Sequence, residues 1–395
     1  MNGGEVRAMK IVNVGTAVVK GNFDWILVKV YTDKGVVGIG EAYWGAGVVD
    51  LIHRAKQLII GEDVTNITKC VERMIRGLSG EGSSSGTAVT AISGIEIALW
   101  DCVGKMLGVP LYVLFGGKIR DKVRMYIDCH AGDGYTPESY RKKARNVIEQ
   151  GWTALKFDID VPTPYSECQD EGEFWYIPYN RCLSSLEIEY ITSIVAAVRE
   201  EIGKVADLAI DCHWKYSVKD AIKLLRALSQ FDLLWVEDPI PPENIDALLE
   251  VQKSVSVPIA TGENLYRKHG YRELIEKQAC RIVTPDIPKM GGLLEARKVF
   301  DMADTYYMPV APHNVSSPVG TIAAAHLCAA MNNFLVMEFH AHDVDWWDDL
   351  IVTDARPIIQ EGYLHLPDKP GIGVELNEEV LKTHLVEERD FFITV

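Results

Sequence analysis

The sequence predicts an α/β protein: a (β/α)8-type (modified TIM) barrel preceded by a smaller α+β domain. Three observations predict it. The chain has 395 residues, and a barrel takes about 250, which leaves room for one further domain. From Lys122 onward, short apolar runs alternate with helix-like stretches. Finally, Asp211, Glu237, Glu263, Asp286, His313 and Glu338 follow one another at gaps of 26, 26, 23, 27 and 25 residues. Each closes an apolar run: VADLAID, FDLLWVE, PIATGE, RIVTPD, MPVAPH and FLVME. A strand, a helix and two connections take about that many residues in a barrel, and the strand tips converge on one face. The period therefore gathers six distant positions into one site.

The elements follow in order. Residues 9–45 alternate as strands do, and WILVKVYT-DKG-VVGIGEAY reads as a hairpin with Gly in its turn. Residues 50–78 and 86–107 read as helices; the second is apolar nearly all round, so it should be buried, and Gly108-Val109-Pro110 stops it. Eight barrel strands are expected at 123–128, 153–158, 206–211, 233–237, 257–262, 281–285, 308–312 and 334–338. Helices are read at 137–151 and 185–203. The stretch 159–184 is too long for an ordinary connection, and long ordered loops are usually lids or binding loops. Its Tyr165, Trp175, Tyr176 and Tyr179 either line a binding pocket or pack on a neighbouring subunit. The domains are thus 1–120 and 121–354, with a tail, 355–395, expected to pack on the first.

Composition narrows the function. A net charge of −16 provides no basic face for nucleic acid. The start MNGGEVRAMK lacks the apolar core of a signal peptide, and no uninterrupted apolar run of membrane-spanning length occurs. The eight cysteines show no metal-type spacing and read as reduced thiols of a cytoplasmic protein. A symmetric homo-oligomer is the expected assembly.

Asp211, Glu237 and Glu263 end three successive strands. Three carboxylates in one place repel, and a hard divalent cation resolves this; all-oxygen ligation suits Mg²⁺. Taken singly, each would read as readily as a helix N-cap. Asp286 and His313 end neighbouring strands, where a carboxylate on one ring nitrogen leaves the other free to take a proton. Lys156 and Asp158 share one strand face, as do Asp211 and His213. Lys156 either stabilises a developing anion beside the metal or forms an internal ion pair with Asp158. His213 is either a second acid or base or a polar residue of the rim. His340 and His342, just past the eighth strand, are candidates for bonding the substrate.

These residues resemble the enolase superfamily in its mandelate racemase-like branch. The match runs through GIGEA in VVGIGEAY, SGIEIALWD (93–101), LFGGK (114–118), K-x-D (156–158), D-x-H (211–213), VEDP (236–239), TGEN (261–264), PDIPKMGG (285–292), PHN (312–314) and MEF (337–339). The resemblance implies that Asp211, Glu237 and Glu263 bind Mg²⁺. It implies that the His313–Asp286 dyad removes the proton α to a carboxylate, that Lys156 is the second-strand lysine and that Glu338 contacts the substrate. It also implies a capping domain whose loops, 20–25 with Trp25 and about 80–87, close over the barrel mouth. Racemases of this branch carry K-x-K where this chain has Lys156 and Asp158, and a carboxylate is a weaker second base. D-x-H resembles galactonate dehydratase, and K-F-D resembles archaeal gluconate dehydratases. The implied activity is dehydration of an aldonic (sugar) acid to a 2-keto-3-deoxy acid, with His213 as acid on the departing hydroxyl. Substrate contacts are expected from Glu338, Lys156, His340, Trp25 and Tyr165. The alternative is a racemase or epimerase of a hydroxy acid, with His213 or Asp158 as second base.

Overall fold

The computed structural model describes residues 8–177, 179–354, 356–387 and 391–392. The chain opens with an antiparallel meander, β1 (Ile11–Lys20), β2 (Asp24–Thr32) and β3 (Val37–Ala42). Gly35, at φ 77°, turns the hairpin, and Thr32 Oγ1 donates to Val36 O across it at 2.8 Å. The helix expected over 50–78 is two, α1 (Val48–Ile59) and α2 (Ile67–Gly77). The break comes at Gly61, φ 83°, whose N–H is drawn to Ile11 O of the sheet. α3 (Thr87–Leu107) lies so close on β3 that a Cβ on Gly40 would stand 2.4 Å from Gly94 O. α3 is long and apolar enough to cross a membrane, yet 89% of that window is buried inside the protein.

Six strands then run parallel in chain order: β4 (Lys122–Asp128), β5 (Ala154–Asp158), β6 (Asp207–Asp211), β7 (Trp235–Glu237), β8 (Ile259–Thr261) and β9 (Ile282–Val283). β10 (Met337–Phe339) pairs with β4 and closes the ring. The seventh stave, expected at 308–312, is reduced to bridges from Val310 to Val283 and to Phe334. Pro309 and Pro312 flank it, and proline has no N–H for the ladder.

The tail expected at 355–395 divides. A hairpin of Ile359–Gln360 and Tyr363–His365 adds antiparallel to β4 (Tyr363↔Arg124, His365↔Lys122). It takes over where β10 ends, since Met337 pairs with Met125 and leaves the lower backbone of β4 without a partner on that side. The later part reaches the N-terminal sheet, through the Val19↔Leu385 bridge and a Lys29–Glu378 ion pair at 2.5 Å.

The barrel interior explains the site. Tyr126, Ala154, Ala209, Trp235, Ala260, Ile282, Ala311 and Val336, one residue per stave, form a buried apolar cluster of their own. Side chains on one face of a strand recur every second residue. Two positions further along stand Asp128, Lys156, Asp211, Glu237, Gly262, Thr284, His313 and Glu338. An apolar plug thus carries a charged layer directly above it.

Buried acids bracket the two domains. Glu96 of α3 accepts from the N–H groups of Leu293 and Leu294, both at 2.8 Å, at the start of the barrel helix Gly292–Thr305. Glu41 of β3 accepts from Ser317 N and Gly320 N, both at 2.9 Å, at the start of the helix Pro318–Ala330. Asp101 accepts from Ile39 N at 2.8 Å and Ile372 N at 2.7 Å. Each fills the anion-favouring end of a helix or an otherwise unpaired backbone donor. Replacing Glu96 by Ala strands two buried N–H groups; chemical denaturation should show a loss of about 2–4 kcal/mol. An unchanged unfolding free energy would remove Glu96 from the bracket.

His326 gives the fold an acid limit. It is fully buried, its Nε2 bonds Ile372 O at 3.0 Å, and its Nδ1 has no partner. Burial pushes its pKa down to about 4, from 6.5. The unfolded chain therefore binds the proton first, and stability falls as pH drops from 6.5 towards 4, by about 3 kcal/mol in all. His326→Gln, which keeps a donor for Ile372 O, should lose less over that window in denaturation curves taken at successive pH values.

Candidate active site

The charged layer centres on Lys156. Its Nζ lies 2.8 Å from Glu338 Oε1, 2.9 Å from Asp211 Oδ2, 3.2 Å from Glu237 Oε2 and 3.4 Å from Asp128 Oδ2. Burial alone would lower the pKa of this lysine; the carboxylates, Glu237 and Glu338 foremost, raise it well above the usual value. In return Lys156 overcomes the effect of burial on Asp128 and holds that acid well below its ordinary range. Asp158 is not Lys156's partner. Its Oδ1 is buried without a hydrogen bond, and burial together with Asp128 pushes its pKa up to about 8.

Asp211 and Glu237 stand side by side in the β6–β7 register. Carboxylate oxygens of Glu237, Asp238 and Glu263 lie within 4.8 Å of one another. Asp211 Oδ1 is fixed by His213 N at 3.0 Å, and Glu237 Oε2 by Trp235 Nε1 at 3.0 Å. Glu237 Oε1 is buried with no hydrogen-bond partner, and burial pushes that acid up to about 8. An orphaned buried carboxylate oxygen beside two further acids fits a hard divalent cation. Glu237 and Glu263 share that cluster with Asp238, whereas Asp211, the third ligand expected, clusters with Asp158 and His213 and meets Glu237 across the strand register.

His313 Nδ1 lies 2.7 Å from Asp286 Oδ2, and its Nε2 lies 3.1 Å from Glu263 Oε2 and 3.8 Å from Glu338 Oε2. Asp286 Oδ1 meanwhile accepts from Lys289 N at 3.0 Å, which fixes the carboxylate that orients the ring. Glu338 is fixed by Asn314 N at 2.9 Å. Burial would lower the His313 pKa, but Glu263 and Glu338 overcome it and raise the value to about 10. Such an imidazole carries a proton at neutral pH. It would act as a base once the charge of Glu263 is compensated, which a cation held by Glu263 would do.

A second imidazole faces the first. β6 is the third stave and His313 follows the seventh, so they stand across the eight-membered ring. His213, at φ 40°, leaves β6 in a backbone conformation rare for its type. Its Nδ1 lies 3.0 Å from Asp160 Oδ1 and its Nε2 3.9 Å from Asp211 Oδ2. Burial opposes protonation, yet Asp211 and Asp160 raise its pKa well above the usual value.

Two residues expected at the substrate lie elsewhere. Trp25 is only 2% exposed, and its indole N–H is donated to Val315 O at 3.1 Å. It ties the cap to the barrel and has no polar group left over. Tyr165 is 50% exposed and packs edge-on against Tyr190 of the helix Ser185–Ile202, because the loop folds back onto that helix. Tyr176 and Tyr179 are exposed, and the Trp175 side chain falls outside the described ones. His340 does reach the rim: its Nδ1 lies 2.8 Å from Asn22 Nδ2 of the cap, and its ring centroid is 4.3 Å from that of His130. His342 stacks on the same His130 ring, with centroids 5.1 Å apart.

The reading from sequence omitted Asp128, Asp160, His130 and Tyr43, and reached Asn22 only as part of the loop 20–25. Asp128 closes the apolar run VRMYID and obeys the same strand-tip rule as the six. Asp160 lies two residues past Asp158, the spacing that joined Asp211 to His213. Asn22 and Tyr43 come from the cap; Tyr43's ring lies 6.4 Å from that of His313, and no local pattern marks it. Cavity size does not find the site either. A cavity of about 650 Å³ lies between Trp152, Trp347 and the 356–362 segment, on the barrel's flank.

Comparison with known proteins identifies the family. Residues 9–116 match the mandelate racemase/muconate lactonizing enzyme N-terminal domain, and residues 139–380 the enolase C-terminal domain-like family. A D-xylonate dehydratase from Haloferax volcanii is 46% identical over 98% of this chain and 92% of its own length. A D-gluconate/D-galactonate dehydratase from Picrophilus torridus is 30% identical over 93% of this chain and 90% of its own. A mandelate racemase/muconate lactonizing enzyme-like protein from Rubrobacter xylanophilus superposes with a TM-score of 0.90 at 40% identity, covering 96% of this chain and 98% of that one. An enolase superfamily member from Salmonella Typhimurium gives 0.87 at 30% identity, covering 98% and 100%. The chain belongs to the mandelate racemase/muconate lactonizing enzyme family of the enolase superfamily.

Proposed function

We propose that the protein is a Mg²⁺-dependent dehydratase of an aldonic acid, a hydro-lyase that yields a 2-keto-3-deoxy acid. The observation that carries this is the pair of imidazoles across the barrel, each with its own carboxylate, His313 with Asp286 and His213 with Asp160. The similarity to enzymes named for xylonate, gluconate and galactonate dehydration supports the substrate class.

Asp211, Glu237 and Glu263 would hold the cation, which polarises the substrate carboxylate and lowers the energy of negative charge developing there. His313, oriented through Nδ1 by Asp286, takes the C2 proton on Nε2. The electron pair moves into the carboxylate, giving an enediolate. Lys156, a charge that is fixed in place and never released, stabilises it. His213 holds a proton and delivers it to the 3-hydroxyl, which leaves as water while the C2–C3 double bond forms. The enol takes a proton at C3 and becomes the 2-keto acid. Glu338 and His340 are proposed to contact the substrate at the rim. Asp158, a catalytic candidate from sequence, takes no step in this mechanism; its Oδ1 is buried without a hydrogen bond, and it lies beside Asp211 and His213.

An epimerase is the second reading, because it too needs a group on each face of C2. Reaction in D₂O with an aldonic acid separates the two. His313→Asn should lower kcat/KM by at least about 10³-fold and abolish C2 exchange. His213→Asn should keep C2 exchange while losing the keto product. Recovery of a deuterated epimer without keto acid would favour the epimerase.

Titration of the cation gives an independent check. Added Mg²⁺ should raise Tm in a concentration-dependent way, and Glu237→Gln should abolish the rise. A Tm that ignores Mg²⁺ would remove the proposed ligand set.

A further inference from the structure

We infer that the cavity between the first two strand tips receives the distal hydroxyls of a monocarboxylic polyhydroxy acid and rejects a second carboxylate at that end. The inference rests on the dehydratase reading and adds the residues that choose among acid sugars. A cavity of about 480 Å³ is walled by His130, the turn 132–135, Asp158, Asp160 and Phe174. It adjoins the reaction centre, since ligand atoms of Asp158, Asp211 and His213 lie within 4.8 Å of one another.

Two residues of its wall carry buried carboxylate oxygens that have no hydrogen-bond partner, Asp158 Oδ1 and Asp160 Oδ2. Asp160 is 4% exposed, and its other oxygen is taken by His213. A buried acceptor without a donor is costly, and a hydroxyl supplies the missing hydrogen. A carboxylate does not.

The charges of the wall point the same way. Its titratable groups are His130, Asp133, Tyr135, Asp158 and Asp160, and among the described lining residues there is no Lys or Arg. His130, the group able to carry positive charge, has its Nδ1 3.3 Å from Asp128. His213, which approaches from β6, has its Nδ1 on Asp160. A second carboxylate would meet the two unpartnered oxygens with no Lys or Arg among the described lining residues and with both imidazoles already turned to Asp128 and Asp160, whereas a hydroxymethyl end can donate to those oxygens.

The test uses the full chain loaded with Mg²⁺ and three probes of equal carbon count: an aldonate, its terminal-deoxy analogue and the matching aldarate. Both kcat/KM and calorimetric Kd are measured. The aldonate should exceed each of the others by at least about 100-fold in kcat/KM. Asp158→Ala should narrow the aldonate-to-deoxy ratio by about tenfold. Each ratio is internal to one variant, so a general loss of activity cancels. Val161→Phe, which fills the same cavity, should weaken the longer acids more than a three-carbon dihydroxy acid. Equal binding of aldonate and aldarate, or ratios unmoved in both variants, overturns the subsite. If no probe is turned over but the aldonate still binds preferentially, the dehydratase reading falls and the subsite stands.

Discussion

One buried ammonium among four carboxylates is the constraint on which the rest of the structure depends. Lys156 touches Asp128, Asp211, Glu237 and Glu338, drawn from four staves of the barrel. Taking such charges out of water costs several kcal/mol each, and pairing alone seldom recovers it. A fold selected for stability alone would fill this layer with apolar side chains. The layer beneath does so: alanines on four staves are filled in by Tyr126 and Trp235. The charged layer thus sits on a packed floor that holds it in place, and its surplus of acids leaves it open to a cation.

The same carboxylate chemistry builds the interface between the domains, with the opposite result. Glu41, Glu96 and Asp101 are also fully buried, but backbone N–H groups surround them. Their bonds are complete, so they serve as brackets and leave no valence for a ligand. The cap is thereby locked against the helices that follow the sixth and seventh staves. That locking brings Tyr43 to His313 and Asn22 to His340. Whether a buried acid is structural or available for chemistry is decided here by what already bonds its second oxygen.

This distinction also marks how far the sequence could be read. The strand-tip rule found Asp211, Glu237, Glu263, Asp286, His313 and Glu338 because it depends only on spacing, which the barrel imposes on every turn of chain. The long loop and the cap obey no such period. Trp25 looked like a mouth residue from its place in a loop, yet its indole spends its N–H on Val315 O. Tyr165 looked like a pocket residue from its neighbours, yet the loop turns it outward onto Tyr190. The seventh stave read as a full strand because a short apolar run closes there on His313; two prolines cost it the ladder. Pairwise facts such as His213 with Asp160 arise from chain reversal at positive φ, which composition does not announce.

The two faces of the site differ in a way that bears on the choice of reaction. A two-base racemase needs, on the second face, a group that alternates between taking and giving a proton on carbon. Asp158 occupies the position where a lysine would do this. Its Oδ1 is buried in the wall of the neighbouring cavity without a hydrogen bond. His213, the other group on that face, is held by Asp160 through Nδ1, with Nε2 3.9 Å from Asp211. A proton given to C2 from that face inverts the carbon, and a proton given to the adjacent hydroxyl lets it leave as water. One donor thus serves either outcome, and the reaction is decided by which substrate atom stands against His213 when C2 faces His313.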